Sequence, residues 1–308
     1  MSKRVLITGG AGFIGSHLVR HFAGQAQVTV LDDLRSGYAH NLDGVACRFV
    51  RGSILDAQAL REAMAGAEEV YHLAAMISVP ESVAKPAECA ELNTEGTRRV
   101  LDAALAAGAR KVVLASSAAI YGDNPTVPKL ESMTPEPKSP YAQTKLAGEH
   151  LLEAYRETHG LGTTSLRFFN VFGPRQDPRS AYAAAVPIFI AKALRDEPIG
   201  IHGDGGQTRD FVHVTDIVGA LAYAGASADM AGTFNVGYGR SQSILELAQE
   251  ILRLTGSKSR IDHLPPRAGD VRHSLASTAR LLAAGWQPRS SVSAGLAETV
   301  EYFRQLKA

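Results

Sequence analysis

Through the first half of the chain, short apolar runs alternate with longer stretches whose apolar residues recur every three or four positions. RVLIT, QVTVLDD, CRFVRG, EVYHLAA and RKVVLASS read as successive strands, and TTSLRFFNVFG as a sixth. Between them the spacing predicts helices near Phe13–Ala23, near Ala57–Met64, from about Ala87 to Ala107, and from Tyr141 to about His159. Strands that are apolar almost throughout belong in a parallel sheet covered on both faces. The expected class is therefore α/β, with a doubly wound parallel sheet.

The second half is less regular. Residues 174–182 are polar and loop-like, and Val186–Leu194 reads as a helix around Pro187. GIHGDGGQTRDFVHV is glycine-rich and hairpin-like. A helix near Thr215–Ala224 and the strand TFNVG are expected to return to the main sheet. Ile244–Leu254 has amphipathic helical spacing, and residues 261–275, with PPRAGDV, read as an extended loop. No linker composition separates the halves. The expectation is a cofactor domain over residues 1–170, rejoined by 211–240, and a smaller interleaved lobe from 171–210 and 241–308.

Composition narrows the function classes. The 308 residues are 45% hydrophobic and 20% charged, as in ordinary globular domains. A net charge of +1 offers no electrostatic footprint for nucleic acid or an anionic membrane. Cys47 and Cys89 lack metal or redox spacing and read as buried small residues of a reducing compartment. The ten histidines form no ligand-spaced pair, so no metal is expected. MSKRVLITGG reads as a first strand rather than a signal peptide. No apolar run reaches the ~18 residues of a membrane span, so a cytoplasmic location is expected.

The candidate chemistry starts with Tyr141 and Lys145, four residues apart in SPYAQTK and therefore on one helical face. An ammonium beside a phenol favours phenolate, so Lys145 is expected to lower the Tyr141 pKa towards the range of a general base. Ser117, in SSAAIYG, is placed to bridge that phenol to a substrate hydroxyl. Upstream, Gly9, Gly12 and Gly15 in TGGAGFIG form a turn between a strand and a helix. Such a Rossmann-type turn lets the backbone approach a diphosphate at the helix N-terminus. Asp32 closes the second strand, where a carboxylate accepts from ribose hydroxyls and repels a 2′-phosphate; NAD is therefore expected over NADP. Arg35 is the counter-argument, because an arginine there can hold that phosphate.

These motifs, with HLAA, NTEGT, RFFNVFGP, GDGGQTRDFVHVTD and RAGDV in the same order, resemble the extended short-chain dehydrogenase family, the NAD-dependent sugar-nucleotide epimerases and dehydratases. The resemblance covers essentially the whole chain. It implies catalysis by Ser117, Tyr141 and Lys145. It extends the cofactor set to Phe13, Ile14, Asp33, Leu34, Ser36 and Gly37. It adds Ser53, Ile54, Leu73, Ala74, Ala75, Asn93 and Phe169. For the substrate it implies Asn170, Arg209 and Arg267 at the diphosphate and Asp270 at the uridine ribose. Ala185, Val186, Gly200 and His202 would hold the uracil and its ribose.

Dehydratases in this family resemble one another in an acidic pair after the serine; this chain has Ala118 and Ala119. What remains resembles a UDP-hexose 4-epimerase. Ser53 replaces a frequent aspartate, and Ile77 a lysine of some galactose epimerases. AMISVPES and GPRQDPRSAYAAAVP resemble the UDP-N-acetylhexosamine epimerases, where Ser274 would wall the pocket at the sugar C2 substituent and Ser78 would meet an acetamido group. The family's two-fold helix pairing implies a homodimer. A reductase or dehydrogenase with net redox, and a non-catalytic NAD(H)-sensing protein, share the fold and stay open at this point.

Overall fold

The computed structural model describes residues 2–179, 184–266 and 271–306. Arg267 and Asp270 lie outside the described residues. The main sheet contains β1 (Arg4–Thr8), β2 (Gln27–Asp32), β3 (Arg48–Arg51), β4 (Glu69–His72), β5 (Lys111–Ser117) and β6 (Gly162–Phe168). After β7 (Asn170–Phe172), β8 (Ile199–His202) and β9 (Thr208–His213), the chain returns to it through β10 (Gly232–Val236). The order is β10-β6-β5-β4-β1-β2-β3, with every pair parallel. Strand order reverses between β1 and β4, which leaves a crevice at their carboxyl ends.

Both faces of this sheet are covered, which explains why its central strands are almost wholly buried. The helices Phe13–Phe22 and Val214–Ala226 close one face around Ile7, Val30, Val113 and Leu166. Ala57–Met64, Gly96–Ala106 and Pro140–His159 close the other around Leu6, Val70, Val112 and Leu114. A third core joins Ala185–Ala193, Ile244–Thr255 and Val292–Gln305 beneath two small sheets. One is ordered β11 (Ser241–Ser243), β9, β7; the other pairs β12 (Ile261–Leu264) with β8.

Several expectations are corrected. The sixth apolar run is two strands, β6 in the main sheet and β7 beside β9. Phe169 is the joint: its N–H still reaches Val236 of β10, and the next residue pairs with Phe211. The glycine-rich segment is no hairpin. β8 and β9 belong to different sheets, because Ile199 and Ile201 are drawn into the third core and pair in parallel with β12. That pairing also turns Ile261–Leu264, expected as loop, into a strand. Cys47 is partly exposed, while Cys89 is buried. The helix over 86–106 carries one turn of π-helix, Glu91–Glu95. Among the described residues, no helix is long and apolar enough to cross a membrane.

Candidate active site

Ser117 ends β5, and the Pro140–His159 helix runs beside that strand. Ser139 starts the helix by accepting from the Ala142 N–H at 3.2 Å, with Pro140 at the first position, where no N–H is required. Gly160, left-handed at φ +67°, ends it. Three successive turns then meet three successive strand residues. The Ser117 and Tyr141 side chains meet at the cleft, where the serine favours the phenolate. Lys145 Nζ donates to the Ala115 carbonyl at 2.9 Å. Ser116 Oγ donates to Glu149 Oε1 at 2.6 Å.

The electrostatics differ from the sequence expectation. In the protein alone the Tyr141 pKa is raised by burial, against the opposing influence of Ser117. Lys145 sits 5.8 Å from the centre of the phenol ring and spends a proton on Ala115, so desolvation outweighs its pull. Burial also brings the Lys145 amine down to about 8. Lys145 is therefore still mostly ammonium at neutral pH.

The Phe13–Phe22 helix begins at Gly12, after Gly9 at φ +72°. A Cβ on Gly9 would stand 2.7 Å from the Ala74 N, and one on Gly15 would stand 2.1 Å from the Gly9 carbonyl. Bare backbone at this turn is what a diphosphate needs to reach the helix N-terminus. Asp32 Oδ2 accepts from Ala11 N at 2.9 Å and Oδ1 from Leu34 N at 2.8 Å. A carboxylate has about four acceptor sites, so capacity remains for ribose hydroxyls. Arg35, the rival determinant, is drawn away to Glu81 at 2.8 Å and Glu88 at 2.6 Å. A cleft of about 490 Å³ connects this turn to Ser117, Tyr141 and Lys145. Its volume and its glycine floor fit a dinucleotide.

Residues 5–237 match the NAD dependent epimerase/dehydratase family. The chain belongs to that family. It is 43% identical to the UDP-glucose 4-epimerase of Mycolicibacterium smegmatis, covering 98% of each chain. Among solved structures it is similar to the UDP-N-acetylglucosamine 4-epimerase from Methanobrevibacter ruminantium M1, in complex with UDP-N-acetylmuramic acid, at TM-score 0.96 and 38% identity, covering 99% of each chain. It is also similar to the UDP-glucose 4-epimerase from Thermotoga maritima with UDP-glucose, at TM-score 0.94 and 39% identity, covering 99% of this chain and 100% of that one. NAD is the cofactor of this epimerase/dehydratase family.

Of the expected cofactor residues, Phe13, Ile14, Asp33, Ser36 and Gly37 line the cleft. So do Ser53, Ile54, Leu73, Ala74, Ala75 and Phe169. Leu34 instead packs against the core, and Asn93 stands behind the wall. Asn93 accepts from Met76 N at 2.7 Å and donates to Met76 O and to Thr144 Oγ1, both at 3.0 Å. Its main-chain carbonyl accepts from Thr97 Oγ1, which leaves that oxygen to accept from His72 Nε2; His72 Nδ1 then accepts from the Thr8 hydroxyl at 2.7 Å. Burial pushes His72 down to about 3, so it stays neutral within this chain of bonds.

The expected substrate residues are less gathered. Asn170 lines the cleft. Arg209 and Ser274 meet through Thr208: Arg209 Nη1 and Ser274 N both donate to its carbonyl, at 2.8 and 3.1 Å. Gly200 and His202 lie in β8, and Val186 is buried in the third core one residue beyond Ala185. Ser78 caps the Val79–Ala84 helix by accepting from Glu81 N at 3.1 Å. Sequence reasoning missed Tyr38, which also lines the cleft and whose hydroxyl reaches Asp177 at 2.5 Å on the opposite rim. The GPRQDP stretch, which carries Asp177, marks that rim in the sequence.

Proposed function

We propose that the protein is a UDP-hexose 4-epimerase that works through a transient 4-keto sugar. UDP-GlcNAc and UDP-GalNAc are its main pair, with UDP-glucose and UDP-galactose a second. One observation carries the reading: Ser117, Tyr141 and Lys145 form one wall of a cleft floored by a dinucleotide turn, beside Ala118 and Ala119, which provide no acid for eliminating a hydroxyl. Among the described residues of that cleft, the carboxylates Asp32, Asp33 and Asp177 stand at the cofactor turn and at the rim near Tyr38.

Bound NAD would supply a hydride acceptor for C4 and, in its oxidised ring, a positive charge that favours the phenolate. The chain's own residues manage the proton. Tyr141 takes it from the 4-hydroxyl and returns it after the keto sugar has turned over. Ser117 orients that hydroxyl from beside the phenol. Lys145, as ammonium, favours the phenolate.

In this reading the seven-stranded part holds the cofactor, and the two small sheets, with Arg209, Arg267, Asp270, Gly200 and His202, hold the nucleotide half of the substrate. The N-acetylated preference rests on small Ser274 and on Ser78. The enzyme is a cytoplasmic homodimer. Incubating the protein separately with UDP-glucose and UDP-GlcNAc, and separating the products, tests the reading. Conversion to the C4 epimer without net absorbance change at 340 nm is expected. Stoichiometric NADH formation would replace the epimerase reading with net oxidation.

A further inference from the structure

Glu149 has no part in moving the proton, yet it is buried and heavily tied. It stands one helical turn beyond Lys145 and two beyond Tyr141, on the same face. The β5–β6 register places Arg167 beside Ser116, so one carboxylate reaches both. Ser116 Oγ donates at 2.6 Å, Arg167 Nε at 2.9 Å and Arg167 Nη2 at 2.7 Å. The far side of the guanidinium is fixed as well: Nη1 donates to the Tyr121 hydroxyl at 2.9 Å, which donates to Asn235 at 2.7 Å. Both partners of the ion pair are about 5% exposed. Stability does not explain this pair, since well-packed apolar residues usually serve as well as a buried salt bridge.

The neighbouring turn supplies a reason. Lys145 Nζ and the Glu149 carboxylate bond adjacent residues of β5, the Ala115 carbonyl and the Ser116 hydroxyl, which brings the two charges together one helical turn apart. Cys89 on the Pro86–Ala90 helix, Tyr141 and His72 at the end of β4 complete the surroundings of the amine. Burial keeps the phenol and the Cys89 thiol protonated at neutral pH, and it keeps His72 neutral. Glu149 is thus the anion of this set.

We propose that Glu149 is a positioning residue for Lys145: locked by Ser116 and Arg167, its carboxylate holds the amine one turn away as an ammonium. The inference rests on the epimerase reading for what Lys145 does, and its test reads Lys145 directly. The holoprotein is labelled with ¹³Cε-lysine, and Lys145 is assigned by loss of its signal in Lys145→Arg. Its titration is then compared in wild type, Glu149→Gln and the double variant Glu149→Gln/Arg167→Met. The midpoint should fall by roughly one pH unit or more in Glu149→Gln. It should fall by less, in the same direction, in the double variant, where the repulsion from Arg167 is also gone. The alkaline limb of turnover should move down with it, a shift that loss of packing alone does not produce. If Glu149→Gln fails to fold because Arg167 is left unpaired, the double variant decides. An unchanged Lys145 midpoint in a folded variant overturns the proposal. A shifted midpoint in a protein that epimerises nothing upholds it and removes the epimerase reading.

Discussion

Lys145 donates to the carbonyl of Ala115 at 2.9 Å, and that bond ties the helix bearing Tyr141 to the strand that ends in Ser117. The proposed base and the proposed bridging hydroxyl are thereby held in one frame. Tyr141→Phe would remove the proposed proton acceptor and leave this frame intact. Turnover should fall by ~10²–10⁴-fold while bound NAD is retained. Near-wild-type turnover in the purified variant means that another group is the base.

Asp32 is the residue proposed to set the cofactor choice, since Arg35 is engaged by Glu81 and Glu88. Asp32→Ala should weaken NAD binding more than NADP binding, measured as dissociation constants by calorimetry. Equal losses would assign the preference to Arg35 instead.

Acid should destabilise the fold through its neutral histidines. Burial holds His72 down to about 3 and His17 to about 4, against about 6.5 in the unfolded chain. Between those values the unfolded state binds protons that the native state refuses, so the stability present above about pH 6.5 is lost as pH falls towards 4. Tm should therefore drop between pH 7.5 and pH 5, and by less in His72→Gln. A flat Tm across that interval contradicts the assignment.

Assembly should follow the helix pair Gly96–Ala106 and Pro140–His159. Across their exposed surface Tyr155 donates to Asp102 at 2.5 Å, which fixes the two helices side by side. A homodimer is expected by light scattering at micromolar concentration. A monomer mass there would count against it.

Substrate size should respond at Ser274, whose N–H is anchored to Thr208 O at 3.1 Å. Ser274→Tyr should abolish conversion of UDP-GlcNAc by overfilling the pocket, and spare UDP-glucose. Equal loss of both activities would place Ser274 away from the C2 substituent.

Much of the cofactor half was legible in the letters. Its strands read as apolar runs because both faces are covered, and Tyr141 and Lys145 declared a shared face by their spacing. The partner of Lys145 did not show, because a main-chain carbonyl at Ala115 has no letter of its own. Nor did the pairing of Tyr38 with Asp177, which are 139 residues apart. The run through Phe169 looked like one strand because local pattern carries no record of which sheet receives it. The phenol's acidity was misread for a related reason: spacing reveals the neighbouring ammonium and is silent about desolvation.

Tyr141, Lys145 and Glu149 lie within about 80° of one another around the helix axis, on the side that meets β5. Each residue of an α-helix advances about 100° around its axis. A single inserted or deleted residue between Tyr141 and Glu149 would swing everything beyond it off the strand, whatever its chemical character. A point substitution removes one contact; a change of length uncouples the remainder together. The segment is thus tolerant of spelling on its outward face and intolerant of any change in its count.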